Sequence, residues 1–133
     1  MMNENEKAIA AQLTKYQDAL NHSDTEAVMK LYAADGVFMP QHFPSSVGAD
    51  AVRKAYAGVF QTITLTVKFA VAEIKQVASD WALARTNSAG SVKVNATGQT
   101  SPEANQELFL FQKVGNEWKI ARYCFSTTNP PRS

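Results

Sequence analysis

Between Gln106 and Ser126 the chain reads Gln-Glu-Leu-Phe-Leu-Phe-Gln-Lys-Val-Gly-Asn-Glu-Trp-Lys-Ile-Ala-Arg-Tyr-Cys-Phe-Ser, two aromatic and aliphatic runs either side of Gly115-Asn116. That dipeptide suits a two-residue turn with φ > 0 at its first position, so the stretch is read as a β-hairpin pairing Val114 with Glu117. Counting outwards from the turn puts Glu107, Phe109 and Phe111 on one face with Ile120, Arg122 and Cys124. Leu108 and Leu110 fall on the other face with Ala121, Tyr123 and Phe125. Both faces are apolar, so the hairpin is expected at the centre of a sheet and covered on each side. Glu107 and Arg122 interrupt one of these faces and lie diagonally opposite in this register. Charge on an apolar face is costly unless it is paired or solvated, so the two are a structural ion pair, a sheet end near water, or the polar bottom of a pocket.

Upstream, residues 4 to 21 read as an amphipathic helix with Ile9, Leu13, Tyr16 and Leu20 on one stripe. Ser23 with Glu26 has capping-box spacing and opens a second helix bearing Val28, Leu31 and Tyr32, which is expected to stop at Asp35-Gly36. Asp24 and Asp35 are read as residues of its start and its end. Val37 to Met39 is a short strand ended by Pro40, and 41 to 47 a loop. A third helix spans Ala49 to Gln61 with Val52, Tyr56, Val59 and Phe60 on one stripe. From Thr62 the period becomes two: Leu65, Val67, Phe69 and Val71 alternate with Thr64, Thr66 and Lys68, and the shift towards Ile74 suits a bulge. Trp81 to Ser88 is the next strand, Ala89 to Asn105 is expected to be a flexible connection, and the hairpin closes the sheet. The order α-α-β-α-β-β-β-β makes an α+β fold, a cone-shaped roll with three helices packed on a bent, mainly antiparallel sheet. Residues 1–133 form one domain, with tails at 1–4 and 128–133.

With 133 residues, a formal charge of +1 and no run of three Lys or Arg, the chain is not expected to bind nucleic acid or an anionic membrane. No signal peptide or membrane span is read, so a cytoplasmic protein is expected. Cys124 is the single cysteine and cannot form an intrachain disulfide. Two separated histidines and that cysteine offer no metal set, and Ala89-Gly90-Ser91 is no phosphate loop, so no metal or other cofactor is expected.

Four stretches in this order resemble the nuclear transport factor 2-like superfamily, in particular its ketosteroid isomerase and SnoaL-like branch. They are Tyr16-Gln-Asp-Ala-Leu-Asn-His-Ser-Asp24, Leu31-Tyr-Ala-Ala-Asp-Gly-Val-Phe-Met-Pro40, Gly48-Ala-Asp-Ala-Val52, and Phe111 through Trp118-Lys-Ile120. The resemblance implies a tyrosine donor at Tyr16 and a second donor at Glu107, as in the isomerase whose carboxylic acid is kept neutral by apolar surroundings. Where that enzyme has an aspartate base before a proline, this chain has Met39 before Pro40, which cannot accept a proton. Arg85-Thr86-Asn87 stands where the limonene epoxide hydrolase pattern has Arg-x-Asp.

Glu107, Tyr16 and His42 are therefore the candidate catalytic residues. Glu107 is chosen because a carboxyl among phenylalanines has a raised pKa, and His42 because the loop after Met39 would overhang the pocket mouth. The expected pocket is lined by Met39, Phe43, Tyr56, Phe60, Phe109 and Phe111, with Arg85, Asn87 and Arg122 as polar contacts. Tyrosines on helix stripes such as Tyr32 and Tyr56 are more often core, and His22 is read as a solvated turn residue without a role. The expected ligand is a small hydrophobic molecule, with cofactor-free isomerase, cyclase or hydrolase chemistry on a carbonyl compound. The alternative is a non-catalytic ligand-binding or assembly domain. Either is expected to form a homodimer through an outer sheet face carrying Leu108, Leu110, Tyr123 and Phe125.

Overall fold

A computed structural model describes residues 2–130. The first helix, α1, spans Glu4–Asn21 and is closed at its start by a capping box between Asn3 and Glu6. Its stripe of Ile9, Leu13, Tyr16 and Leu20 is buried. The second helix, α2 (Thr25–Met29), is shorter than expected. Its cap is the Asp24 carboxylate accepting from the Ala27 N–H at 3.0 Å, and not Ser23. Nor does it reach Gly36: Tyr32–Met39 form the strand β1. Ala33 and Ala34 favour helix in isolation, but parallel pairing of this stretch with the last strand overrides that preference. Asp35 is thus an exposed strand residue.

The two-residue strand β2 (Ser46–Val47) and the helix α3 (Ala49–Thr62) precede a four-strand meander: β3 (Ile63–Ala78), β4 (Trp81–Val94), β5 (Thr100–Val114) and β6 (Glu117–Thr127). Strand order in the open, six-stranded sheet is β2-β1-β6-β5-β4-β3. A bulge falls between Val71 and Glu73, where the alternation shifts. The expected flexible connection at 89–105 is instead the end of β4, a turn containing Gly98, and the start of β5, paired from Lys93↔Thr100. Much of this end of the hairpin is solvent-exposed on both faces, so its sequence shows no apolar alternation. Pro102 is tolerated because β6 pairs with β5 only from Asn105 onward, leaving no partner there for an N–H. Of the expected C-terminal tail, residues 131–133 lie outside the described residues.

The edge strand β3 is guarded by α1. Gln17 Oε1 accepts from the Phe69 N–H and Asn21 Oδ1 from the Val67 N–H, both at 2.8 Å, while Asn21 Nδ2 donates to the Val67 carbonyl at 2.9 Å.

The central hairpin turns at Gly115-Asn116 and pairs Val114 with Glu117 as expected, but its register breaks further out. Phe111 pairs with Ile120 and Leu110 with Arg122, so Ala121 is an extra residue. Beyond that bulge every side chain of β6 changes face. Tyr123 and Phe125 join Glu107 and Phe109 on the inner face, while Arg122 and Cys124 join Leu108 and Leu110 outside. The bulge thereby directs two aromatic rings into the roll and a guanidinium to water, the cheaper distribution. Leu108 remains 46% exposed, so within one copy the outer face is not covered.

Candidate functional site

The narrow end of the roll is filled by Ile9, Phe111, Trp118 and Ile120, none more than 2% exposed. Towards the wide end the helices and sheet diverge around a cavity of about 1070 Å³, walled by α1, β1, α3, β3, β4, β5, β6 and the segment after Pro40. Its surface is mostly apolar, with Phe38, Leu65, Val67, Phe69 and Phe125 among the lining residues.

Two buried sets of polar groups stand out among the residues of its walls. The first is a line of phenols: the Tyr16 and Tyr56 hydroxyls are 2.7 Å apart, and those of Tyr56 and Tyr32 are also 2.7 Å apart. Each hydroxyl has one hydrogen. If Tyr32 donates to Tyr56 and Tyr56 to Tyr16, the Tyr16 hydrogen is free to point into the cavity, which Tyr16 lines and Tyr32 does not. All four tyrosines of the chain, these three and Tyr123, are buried. Burial raises the pKa of each above the ordinary tyrosine range, so all four remain neutral donors. The Tyr16 ring is held edge-on by Phe69, Phe109 and Tyr123, with centroids 5.4–5.8 Å away.

The second is Glu107, 5% exposed on the inner face of β5. Its Oε1 accepts from Thr86 Oγ1 at 2.6 Å and its Oε2 from Ser88 Oγ at 2.5 Å. Burial raises its pKa above the usual carboxylate value, and the two hydroxyls oppose that. No basic side chain lies within ion-pairing distance of it among the described residues.

Of the residues expected here, Tyr16, Phe43, Tyr56 and Glu107 line the cavity. Phe109 and Phe111 lie beneath its surface, with Phe109 stacked on Tyr123 at 4.2 Å, and Phe60 packs against Tyr56 from behind. The other expected contacts are elsewhere. Arg122 is outside because of the bulge and donates to the Asp35 and Ala121 carbonyls, so it is no partner of Glu107. Arg85 faces out and bonds Glu73 Oε1 at 2.6 Å; Asn87 is exposed on the same face. Met39 is 44% exposed and pairs with Cys124 on the outer side, so Phe38 is the β1 residue that faces inward. His42 is exposed with φ 71°, its ring against the Gln41 amide, and it does not line the cavity.

Thr86, Ser88, Asn105, Phe38 and Tyr123 were not expected at the site. A signal for the first two exists in the alternation Ala82, Ala84, Thr86, Ser88, two small and two hydroxylated residues on one side of a strand. The larger apolar residues of the strand, Trp81 and Leu83, fall on the opposite side.

The chain matches the family described as SnoaL-like domain over residues 13–122. Among solved structures, a ketosteroid isomerase-like protein from Erwinia carotovora atroseptica is 37% identical, covering 97% of this chain and 100% of that one with a TM-score of 0.92. A nuclear transport factor 2-like superfamily protein from Salmonella enterica is 14% identical, covering 94% of this chain and 92% of that one at TM-score 0.82. A scytalone dehydratase-like protein from Novosphingobium aromaticivorans is 19% identical over 94% of this chain and 85% of that one, also at 0.82. These last two likenesses are of fold. No curated protein matches the sequence.

Proposed function

The chain belongs to the SnoaL-like domain family, and from that premise we propose that it binds a small hydrophobic carbonyl compound in its cone and moves a proton on it without a cofactor. One observation carries the reading: an apolar cavity into which a neutral phenol and a buried carboxyl both project. Tyr16, backed by Tyr56 and Tyr32, would donate to the carbonyl oxygen as negative charge builds on it. Glu107 would exchange the proton on the neighbouring carbon, which its raised pKa suits. The resemblance to ketosteroid isomerase supports the donor; the base is sought in Glu107 because Met39 is neither acidic nor inside.

A screen of hydrophobic carbonyl compounds by thermal shift tests this, comparing wild type with Glu107→Gln and Tyr16→Phe. A ligand at about 100 times its Kd stabilises by about 2.7 kcal/mol. If no compound raises the melting point, the binding reading fails. If compounds bind but none is turned over, the chain is a non-catalytic ligand-binding or assembly domain, a reading favoured by the missing carboxylate before Pro40.

A homodimer is part of the proposal. The bulge removes Tyr123 and Phe125 from the outer face and brings Cys124 to it, so that Leu83, Leu108, Leu110, Cys124 and Met39 form an apolar band there, flanked by Arg85 and Arg122. Sedimentation should give twice the chain mass, and Leu108→Glu should halve it; a monomeric wild type excludes the dimer.

A further inference from the structure

The hydrogens around Glu107 bear on the two roles that a buried carboxyl can take. Thr86 and Ser88 contribute one hydroxyl hydrogen each, and among the described residues neither hydroxyl has any other partner than Glu107. With Glu107 ionised, two hydrogens serve two contacts and nothing is left over. With Glu107 protonated there are three hydrogens for the same two contacts. The acid hydrogen then either points into the cavity, which Glu107 lines, or goes to one hydroxyl, which accepts it and turns its own hydrogen elsewhere; in both cases two hydroxyl donors favour the ionised form. Thr86 is 2% exposed and does not line the cavity, so its hydrogen cannot turn to a ligand. Ser88 does line the cavity, so in the protonated state its hydrogen can turn inward to a ligand.

We propose that Thr86 and Ser88 are positioning residues that hold Glu107 as an ionised proton acceptor in the empty site, and that Ser88 re-aims its hydroxyl into the cavity once Glu107 takes up a proton. This rests on the proton-transfer reading above and reverses the neutral-donor role that the resemblance implies for Glu107. The step balances within the site. A carbon beside the carbonyl releases its proton to Glu107 Oε2, and the C–H electron pair becomes a carbon–carbon double bond as the carbonyl π pair moves to oxygen. The new acid O–H donates to Ser88 Oγ, and the Ser88 hydrogen turns to the ligand oxygen. Return of the proton to another carbon restores the carboxylate. The other ionisable groups around the cavity are Tyr16 on α1, Tyr56 on α3 and Tyr123 on β6, all neutral phenols, with Lys54 of α3 and Glu103 of β5 among the lining residues.

The test needs no ligand. In protein labelled with ¹³C at the glutamate carboxyls, with Glu107→Gln to assign the resonance, Glu107 should be ionised at neutral pH. Thr86→Val and Ser88→Ala should each move its titration midpoint upward, because each removes a donor to the charged form. Thr86→Ser and Ser88→Thr, which keep the hydroxyl, should leave it near wild type. A Glu107 that is protonated at neutral pH in the wild type overturns the proposal, and this measurement stands even if a variant fails to fold. Midpoints unmoved in folded Thr86→Val and Ser88→Ala overturn it as well. Failure of every carbonyl compound to bind would remove the proposed function and leave this titration unchanged, so the two can fail separately.

Discussion

The two ends of the strand pair β5 and β6 are built from the same material to opposite purposes. At the narrow end Phe111, Trp118 and Ile120 are sealed against Ile9 of α1. Two inward positions before Phe111 on β5, the same face carries Glu107, with Asn105 beyond it and the hydroxyls of Thr86 and Ser88 alongside. The narrow end gains by excluding water. The wide end tolerates a carboxyl only because its hydrogen bonds are met one by one. A short stretch of one strand thus passes from core to site, and stability and chemistry should separate along it.

Substitutions can break that separation or sharpen it. The largest effect expected is at the wide end, where Glu107→Gln should lower turnover of a carbonyl substrate by about 10²–10⁴-fold. Its stability should change with pH in a defined sense. Burial raises the Glu107 pKa, so the folded state binds a proton more tightly than the unfolded chain. Wild type therefore loses stability as pH rises from the ordinary carboxylate value of 4.5 through the raised one, a loss that Glu107→Gln should lack. Denaturant melts of the two proteins across that range check the sign. At the narrow end Phe111→Ala should cost about 3–5 kcal/mol in denaturant unfolding, since the ring is 1% exposed. Tyr16→Phe should reduce turnover by about 10²–10³-fold, with a stability loss of about 1 kcal/mol for one hydrogen bond. The smallest effect is expected from Arg122→Ala, within about 0.5 kcal/mol and without change in turnover, because the side chain is on the outer surface. A large loss of turnover from Arg122→Ala would undo the division between the faces.

Much of the fold was legible because it is written in local patterns. The helical stripe of α1, the turn at Gly115-Asn116 and the alternation along β3 each announce an element without help from distant residues. Glu107 and Tyr16 stood out as polar groups on apolar stripes. Arg122 did not yield to the same reasoning, since counting from a turn assumes an unbroken ladder and Ala121 carries no local mark of a bulge. The Tyr32–Tyr56 contact joins residues 24 apart in the chain, and the Thr86–Glu107 contact joins residues 21 apart. Such partnerships arise from how strands and helices stack, which periodicity does not report. The α2–β1 boundary failed for a related reason, as pairing with β6 outweighs what alanines prefer alone.

The amides of Gln17 and Asn21 on β3 have a consequence for how copies of this protein can meet. They occupy backbone groups that a strand from another molecule would need in order to add itself there. At the opposite margin β2 offers only two residues as a template. Addition of a further strand is thereby obstructed at Val67 and Phe69 and offered little template at β2, whereas the outer face, where Leu108 is 46% exposed, carries no cover within one copy.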